Sequence, residues 1–96
     1  MTAIDLYQCV QKRKFIPEIR KNNNLSQFSL STLNKIRDRA RDNYYDLILD
    51  TTSYTSNELF EITRLLGVLD YIIFLYDFGV SKVMFISWNF FSDENN

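Results

Sequence analysis

The residues whose type and spacing could do chemistry are two carboxylates, Asp46 and Asp50, which lie four positions apart. On a continuous helix this spacing would place both side chains on one face, and paired carboxylates can hold Mg²⁺. The simpler interpretation is that both are solvated helix residues, and we adopt it. The sequence therefore predicts no metal site and no cofactor.

Other catalytic groups are scarce in this sequence. It contains no histidine, which removes the usual general base and the commonest metal ligand. Its single cysteine, Cys9, has no histidine to activate it and cannot form an internal disulfide. The two glycines, Gly67 and Gly79, form no phosphate-binding loop. We therefore expect a protein that is not an enzyme and has no small-molecule substrate.

One segment is similar to part of an enzyme family. Residues 44–62, YYDLILDTTSYTSNELFEI, resemble the late strand–turn–helix segment of P-loop nucleotide kinases such as cytidylate kinases. The arginines just before it, Arg37, Arg39 and Arg41, resemble the lid-side arginines of those enzymes. The phosphate-binding loop that defines the family is missing, so the resemblance implies no activity and no site residues.

Charge is divided unevenly along the chain, with a net charge of +5 over residues 1–43 and −6 over residues 44–96. A basic half can mark nucleic-acid binding, but two halves of opposite charge can equally neutralise each other in the fold or between subunits. In the nucleic-acid interpretation, the groups that contact phosphates or bases are Lys12, Arg13, Lys14, Arg20, Lys21, Asn34, Lys35, Arg37 and Arg41.

Two segments are similar to DNA-binding domains. SLSTLNKIRDRAR, residues 29–41, resembles the second-to-third-helix region of helix-turn-helix regulators. LFEITRLLGV, residues 59–68, resembles the helix that closes the core in the lambda-repressor-like branch. The resemblance implies that bases would be faced by Asn34, Lys35 and Arg37. The pI of 5.3 is low for a DNA binder, so a helix-turn-helix regulator with an acidic, apolar dimerisation half is the alternative function.

Aromatic side chains are concentrated near the end of the sequence, where eight of the fifteen lie within residues 71–91. Aromatic surface left over from a small core is typical of an interface. The residues predicted to contact a partner protein, or a second copy in a homodimer, are Tyr71, Phe74, Leu75, Phe85, Trp88 and Phe90. The competing interpretation is a core helix that the other elements surround.

Helices are predicted to position most of these residues. Thr2 is a suitable N-cap for a helix over residues 3–14. An apolar stripe from Leu33 to Ile48 predicts an amphipathic helix that begins near residue 31 and extends to Asp50.

A capping box formed by Thr55 and Glu58 predicts the start of a central helix near 56–78, and Gly79 is well placed to end it. The predicted fold is a single domain over residues 1–96, mainly α, arranged as a compact bundle of three to five helices.

The alternative fold is α/β. Residues 83–88 have the composition of a strand, and a βαβ unit would join strands near 45–49 and 82–88 through the 56–78 helix. Two parallel strands make a poor sheet, so the helical bundle is favoured.

A membrane span is the least favoured interpretation of the apolar residues 65–91. Asp70, Asp77 and Lys82 lie within this segment, and each charge costs about 2.5–3.5 kcal/mol near the centre of a bilayer. A tail-anchored membrane protein is the third hypothesis. Because the first fourteen residues lack the apolar region of a signal peptide, a cytoplasmic, intracellular location is expected.

These observations together predict a small, non-enzymatic intracellular regulator or inhibitor that acts by binding another protein. Small size, few catalytic groups and divided charge are also typical of factors carried by phages and other mobile elements.

Overall fold

The computed structural model describes residues 1–17 and 25–89. Within these ranges the elements follow in the order α1 (Ala3–Gln11), α2 (Gln27–Arg41), β1 (Asp46–Asp50), α3 (Ser56–Val68), β2 (Ile72–Asp77) and β3 (Lys82–Ser87). The chain is therefore an α+β protein, and the prediction of a mainly α, all-helical bundle is wrong.

Each helix begins at a hydroxyl side chain that accepts a hydrogen bond from a backbone N–H of the first turn. Thr2 caps α1 and Ser26 caps α2. At α3 the predicted capping box is present, since Thr55 accepts from the Glu58 N–H while the Glu58 carboxylate accepts from the Thr55 N–H. Such caps stabilise a helix by about 1 kcal/mol each.

All three helices end earlier than the sequence predicts, and a residue in the left-handed conformation follows each of them, beginning with Arg13, which has a φ of 52° just after α1. Asn43 has a φ of 69° just after α2, and Asp70 has a φ of 66° just after α3. A left-handed residue at this position is a common helix stop. Gly79 also has a positive φ, 85°, but it lies in the turn between β2 and β3 rather than at the end of a helix.

The three strands form one antiparallel sheet in the order β1-β3-β2. Ile86 of β3 lies between Leu47 of β1 and Ile73 of β2, so β1 and β2 run parallel to each other with β3 between them. The βαβ alternative is also wrong. Its two strands lie near the predicted ranges but pair antiparallel, and the third strand, β2, lies inside the predicted 56–78 helix.

One face of the sheet packs against the helices and forms the core. On β3 the side chains of Met84 and Ile86 are fully buried on this inner face, and so is that of Trp88 just beyond the strand. All three helices contribute buried side chains to the core, namely Leu6, Val10, Leu33, Ile36, Ala40, Ile62 and Leu66. Helices α2 and α3 pack against the sheet and against each other, and α1 packs against α2.

In the described ranges, no helix combines the length and the apolar character that crossing a bilayer requires. The apolar segment that begins at residue 65 is divided among the end of α3, β2 and β3.

Candidate functional site

The opposite, outer face of the sheet is the candidate site. Because side chains alternate along a strand, every residue that does not point into the core points to this face. The outer face consists of three rows of three paired positions, Asp46–Ser87–Ile72, Ile48–Phe85–Phe74 and Asp50–Val83–Tyr76. Six of these nine residues are apolar or aromatic, whereas the solvent-facing side of an antiparallel sheet is normally polar.

The apolar residues of the outer face are substantially exposed. The exposed fraction is 67% for Ile48, 52% for Phe74 and 48% for Tyr76, while Val83 and Phe85 in the central strand are partly buried by their neighbours. The Phe74 and Phe85 rings contact each other at a centroid distance of 6.3 Å. The outer face is therefore a continuous apolar surface centred on an aromatic pair.

The apolar surface continues beyond the sheet into the turn that joins β2 to β3. Phe78 is 64% exposed and stacks on Tyr76 with the ring planes 13° apart. Val80 is almost completely exposed. A contiguous exposed apolar patch of this kind is typical of an interaction site.

The β1 side of the outer face is acidic. Asp46 and Asp50 are its only charged residues among the nine positions, and no cation lies among them. The Asp46 carboxylate forms an ion pair with Arg39 over 3.4 Å. Hydrogen bonds from the Thr52 hydroxyl and N–H lower the pKa of Asp50, which keeps this exposed carboxylate ionised.

The strand conformation of β1 separates the two carboxylates that could have shared a metal ion. At about 3.4 Å per residue, side chains four positions apart on a strand are about 13 Å apart. In the part of the chain that the structure describes, no group of three or more His, Cys, Asp or Glu side chains could hold a metal. Asp46 and Asp50 can act as a charged margin but not as a shared Mg²⁺ site.

The residues predicted to form an interface are divided between the two sides of the sheet. Phe74 and Phe85 lie on the outer face. Tyr71 and Trp88 are buried in the core, where their rings contact edge-on at 6.2 Å. Leu75 points to the helix side, yet 52% of it is exposed. Phe90 lies outside the described residues.

The sequence interpretation missed several outer-face residues, of which Ile48 and Tyr76 are the most exposed. The sequence pattern predicts a helical position for Ile48, because Leu33, Ile36, Ala40 and Ile48 fit a period of 3.6. Residues 46–50, DLILD, show no alternation of polar and apolar side chains, so only the strand pairing places Asp46, Ile48 and Asp50 on one side.

A second, smaller candidate is a basic cleft between the C-terminal ends of α1 and α2. Its volume is about 340 Å³, and the described residues that line it include Arg13, Lys14 and Arg41 and no acidic side chain. The Arg41 guanidinium lies over the Phe15 ring, 5.7 Å from its centroid. Both helices direct their last carbonyl groups to this region, so the basic side chains also offset two helix dipoles.

The other groups predicted to contact nucleic acid do not join this cleft. Arg37 has only 14% of its side chain exposed and lines a small gap beside Leu6 and Tyr71. Lys12 and Lys35 are exposed and Asn34 is half-buried, but none of them lines the cleft. Two further predicted residues, Arg20 and Lys21, lie outside the described residues.

Comparison of this chain with protein-family models, with curated protein sequences and with solved structures finds no match.

Proposed function

We propose that this protein is a non-enzymatic binding module, which regulates or inhibits another protein by docking on it through the outer face of the sheet. The observation that supports this proposal is the exposure of Ile48, Phe74 and Tyr76 on one face of the sheet that no described helix covers. Burial of this surface would release about 25 cal/mol for each Å² of apolar area removed from water.

Charge complementarity defines the chemistry of the partner. Asp50 is ionised, exposed and unopposed by any cation on the outer face. The partner surface should therefore carry an apolar centre that contacts Phe74 and Phe85, with a Lys or Arg on the side that meets Asp50. Aromatic residues at the centre of such surfaces usually contribute most of the binding energy.

The test uses the tagged full-length chain to isolate a partner from the native host, followed by affinity measurements with the purified partner. Ile48→Lys places a cation beside Phe85 in the middle row of the outer face. Because burial of an unpaired charge is unfavourable, we expect a loss of at least about 1.4 kcal/mol, which is a tenfold rise in Kd. Phe60→Lys is the matched control, because Phe60 is equally exposed, at 68%, but lies on α3.

Salt dependence tests the chemistry of the partner separately. Affinity for the wild-type chain should fall as salt rises, and Asp50→Asn should weaken that dependence, because exposed ion pairs are screened.

The proposal is overturned if Phe60→Lys abolishes binding while Ile48→Lys does not.

Nucleic-acid binding is the second candidate function, supported by the convergence of Arg13, Lys14 and Arg41 on one cleft. Random duplex DNA should then bind at low salt and dissociate steeply at moderate salt. The double substitution of Arg13 and Lys14 by Gln should reduce the slope by about two charges. Lack of binding at low salt would reject this candidate.

A further inference from the structure

The free edge of β2 carries a row of unpaired backbone groups. The Phe78 N–H donates to the Ser81 carbonyl over 2.8 Å, which places this residue pair in hydrogen-bonded register. Because such pairs alternate along antiparallel strands, Ile72, Phe74 and Tyr76 bond to β3. The N–H and C=O groups of Ile73, Leu75 and Asp77 therefore point away from the sheet, and no described residue bonds to them.

The opposite edge of the same sheet is protected. The pairs Tyr45–Trp88 and Thr51–Lys82 are bonded, so the outward backbone groups of β1 belong to residues 46, 48 and 50. The Arg39 guanidinium donates to the Asp46 carbonyl over 3.1 Å and occupies the start of this edge. Charged residues at both ends of β1 further oppose the addition of a strand.

β2 has none of the features that block pairing. It contains no proline, lysine or bulge, and its register with β3 is unbroken over residues 72–77. Its only charge, Asp77, is at the last position, and the Asp77 carboxylate accepts a hydrogen bond from the Gly79 N–H over 2.8 Å. The strand is therefore an open template for another strand.

The side chains of β2 are apolar on both faces and incompletely covered on both. Phe74 on the outer face and Leu75 on the helix side are each 52% exposed. A cavity of about 220 Å³ lies beside Leu75 and is lined by Leu59, Lys82 and neighbouring residues, so the helix layer stops short of this edge. An added strand would need apolar residues on both of its faces to cover the exposed side chains of Phe74 and Leu75, and β2 itself has that composition.

We propose that a second copy of this chain pairs with β2 through its own β2, antiparallel and centred on Leu75. In this register Leu75 faces Leu75 of the second copy, Ile73 faces Asp77, and Phe74 faces Tyr76. All three outward-pointing residues of each strand are used, which gives about six hydrogen bonds across the junction. The two three-stranded sheets thereby join into one continuous sheet.

Charge and symmetry favour this arrangement. The two Asp77 residues lie four positions apart across the junction, about 13 Å, which exceeds the Debye length of about 8 Å at physiological salt. A register shifted toward the start of β2 would pair Asp77 with Tyr71, whose N–H already donates to the Leu66 carbonyl. The contact is two-fold and uses β2, the less protected of the two edges of the described sheet, so assembly closes at a dimer.

The dimer does not depend on the proposed partner-binding function, because it uses the edge of the sheet and not its outer face. The test is sedimentation or light scattering of the full-length wild-type chain over about 1–100 µM, with a mass of twice the chain expected. Leu75→Lys should raise the dimer Kd about 100-fold, a factor of ten for each of the two lysines brought together. Ile48→Lys, on the outer face, should leave the dimer intact while it weakens partner binding.

A second variant and a cross-linking experiment distinguish a lost dimer contact from a misfolded chain. Leu75→Pro removes an outward N–H without removing a β2–β3 hydrogen bond, so it should weaken the dimer while the far-UV circular dichroism is retained. In a Cys9→Ser background, Leu75→Cys should be cross-linked by a short bis-maleimide and Phe60→Cys should not.

Three outcomes would overturn the proposal. The first is a monomer at every concentration, and the second is a dimer that Ile48→Lys breaks and Leu75→Lys does not, which would indicate face-to-face packing. The third is a monomer whose complex with a different protein is lost in Leu75→Lys, which would assign the edge to a strand of that partner.

Discussion

Replacement of Trp88 tests which side of the sheet forms the core. Trp88 is fully buried, its ring meets the Tyr71 ring edge-on, and its Nε1–H donates to the Tyr44 carbonyl over 3.1 Å. Truncation of a buried tryptophan to alanine costs about 3–5 kcal/mol. A chain of 96 residues has a free energy of unfolding of only about 5–14 kcal/mol at 0.05–0.15 kcal/mol per residue, so Trp88→Ala should remove much of it.

Urea and thermal unfolding, followed by far-UV circular dichroism, measure this loss without the tryptophan signal. For a domain of this size 1 kcal/mol shifts Tm by roughly 4–8 °C, so the expected fall is roughly 12–40 °C. Phe60→Ala is the control, because Phe60 is 68% exposed on α3. A surface substitution of this kind should change the free energy of unfolding by less than about 0.5 kcal/mol.

A comparison with Phe85 makes the test specific for register. A slip of β3 by one residue would move Met84, Ile86 and Trp88 to the outer face and bring Phe85 into the core. If Phe85→Ala destabilised the protein more than Trp88→Ala, and Trp88→Ala cost less than about 1 kcal/mol, the assignment of inner and outer faces would be refuted.

Two further predictions concern the end of α3 and the contact between helices α2 and α3. Asp70→Val should lower the free energy of unfolding by about 1–2 kcal/mol, since a β-branched residue is strained at the φ of 66° found there. Urea titration measures this loss, and Asp70→Gly, the control, should stay close to wild type. Hydroxyl hydrogen bonds from Ser26 and Ser29 lower the pKa of Glu61 below its ordinary 4.5, so this contact should stabilise the fold above that pH and be lost as the pH falls through the lowered pKa. Unfolding measured from pH 6 to pH 3 should show this loss in the wild type and a smaller one in Glu61→Gln, whereas identical pH profiles would contradict the assignment.

The sequence is a good guide to where α1 and α3 begin and a poor guide to where helices end, and it places the start of α2 near residue 31 although the helix begins at Gln27 behind the Ser26 cap. The caps at Thr2 and Thr55 depend on local hydrogen bonds, which residue type and spacing reveal directly. The stops at Asn43 and Asp70 depend on a left-handed backbone that asparagine and aspartate adopt only occasionally. Because neither stop is evident from residue type alone, the predicted helices extend over the apolar residues that form β1 and β2.

The division of the aromatic residues between core and surface could not be predicted once the strands were missed. If these segments were helical, the sequence would not indicate which of Phe74, Phe85 and Trp88 is buried. On the observed strands, a period of two places Trp88 inside and Phe74 and Phe85 outside. Of the described residues predicted to form an interface, Phe74 and Phe85 lie on the outer face and Tyr71 and Trp88 lie in the core, a division that follows from the strand pairing and not from composition.

The proposed dimer and the proposed partner-binding face are independent, so either proposal can fail without the other. If both are correct, they have a joint consequence. Antiparallel pairing of two β2 strands keeps both outer faces on the same side of one sheet, with Phe74 and Tyr76 of each copy at its centre. The acidic residues Asp46 and Asp50 lie on β1, so they would flank this apolar centre at the two far ends. The dimer would then present twice the apolar area of one chain between two acidic margins, and a partner that spans the junction should bind one dimer rather than two separate chains. If Leu75→Lys abolishes the dimer and leaves partner affinity unchanged, each chain binds its partner alone, and the edge of β2 and the outer face serve separate contacts.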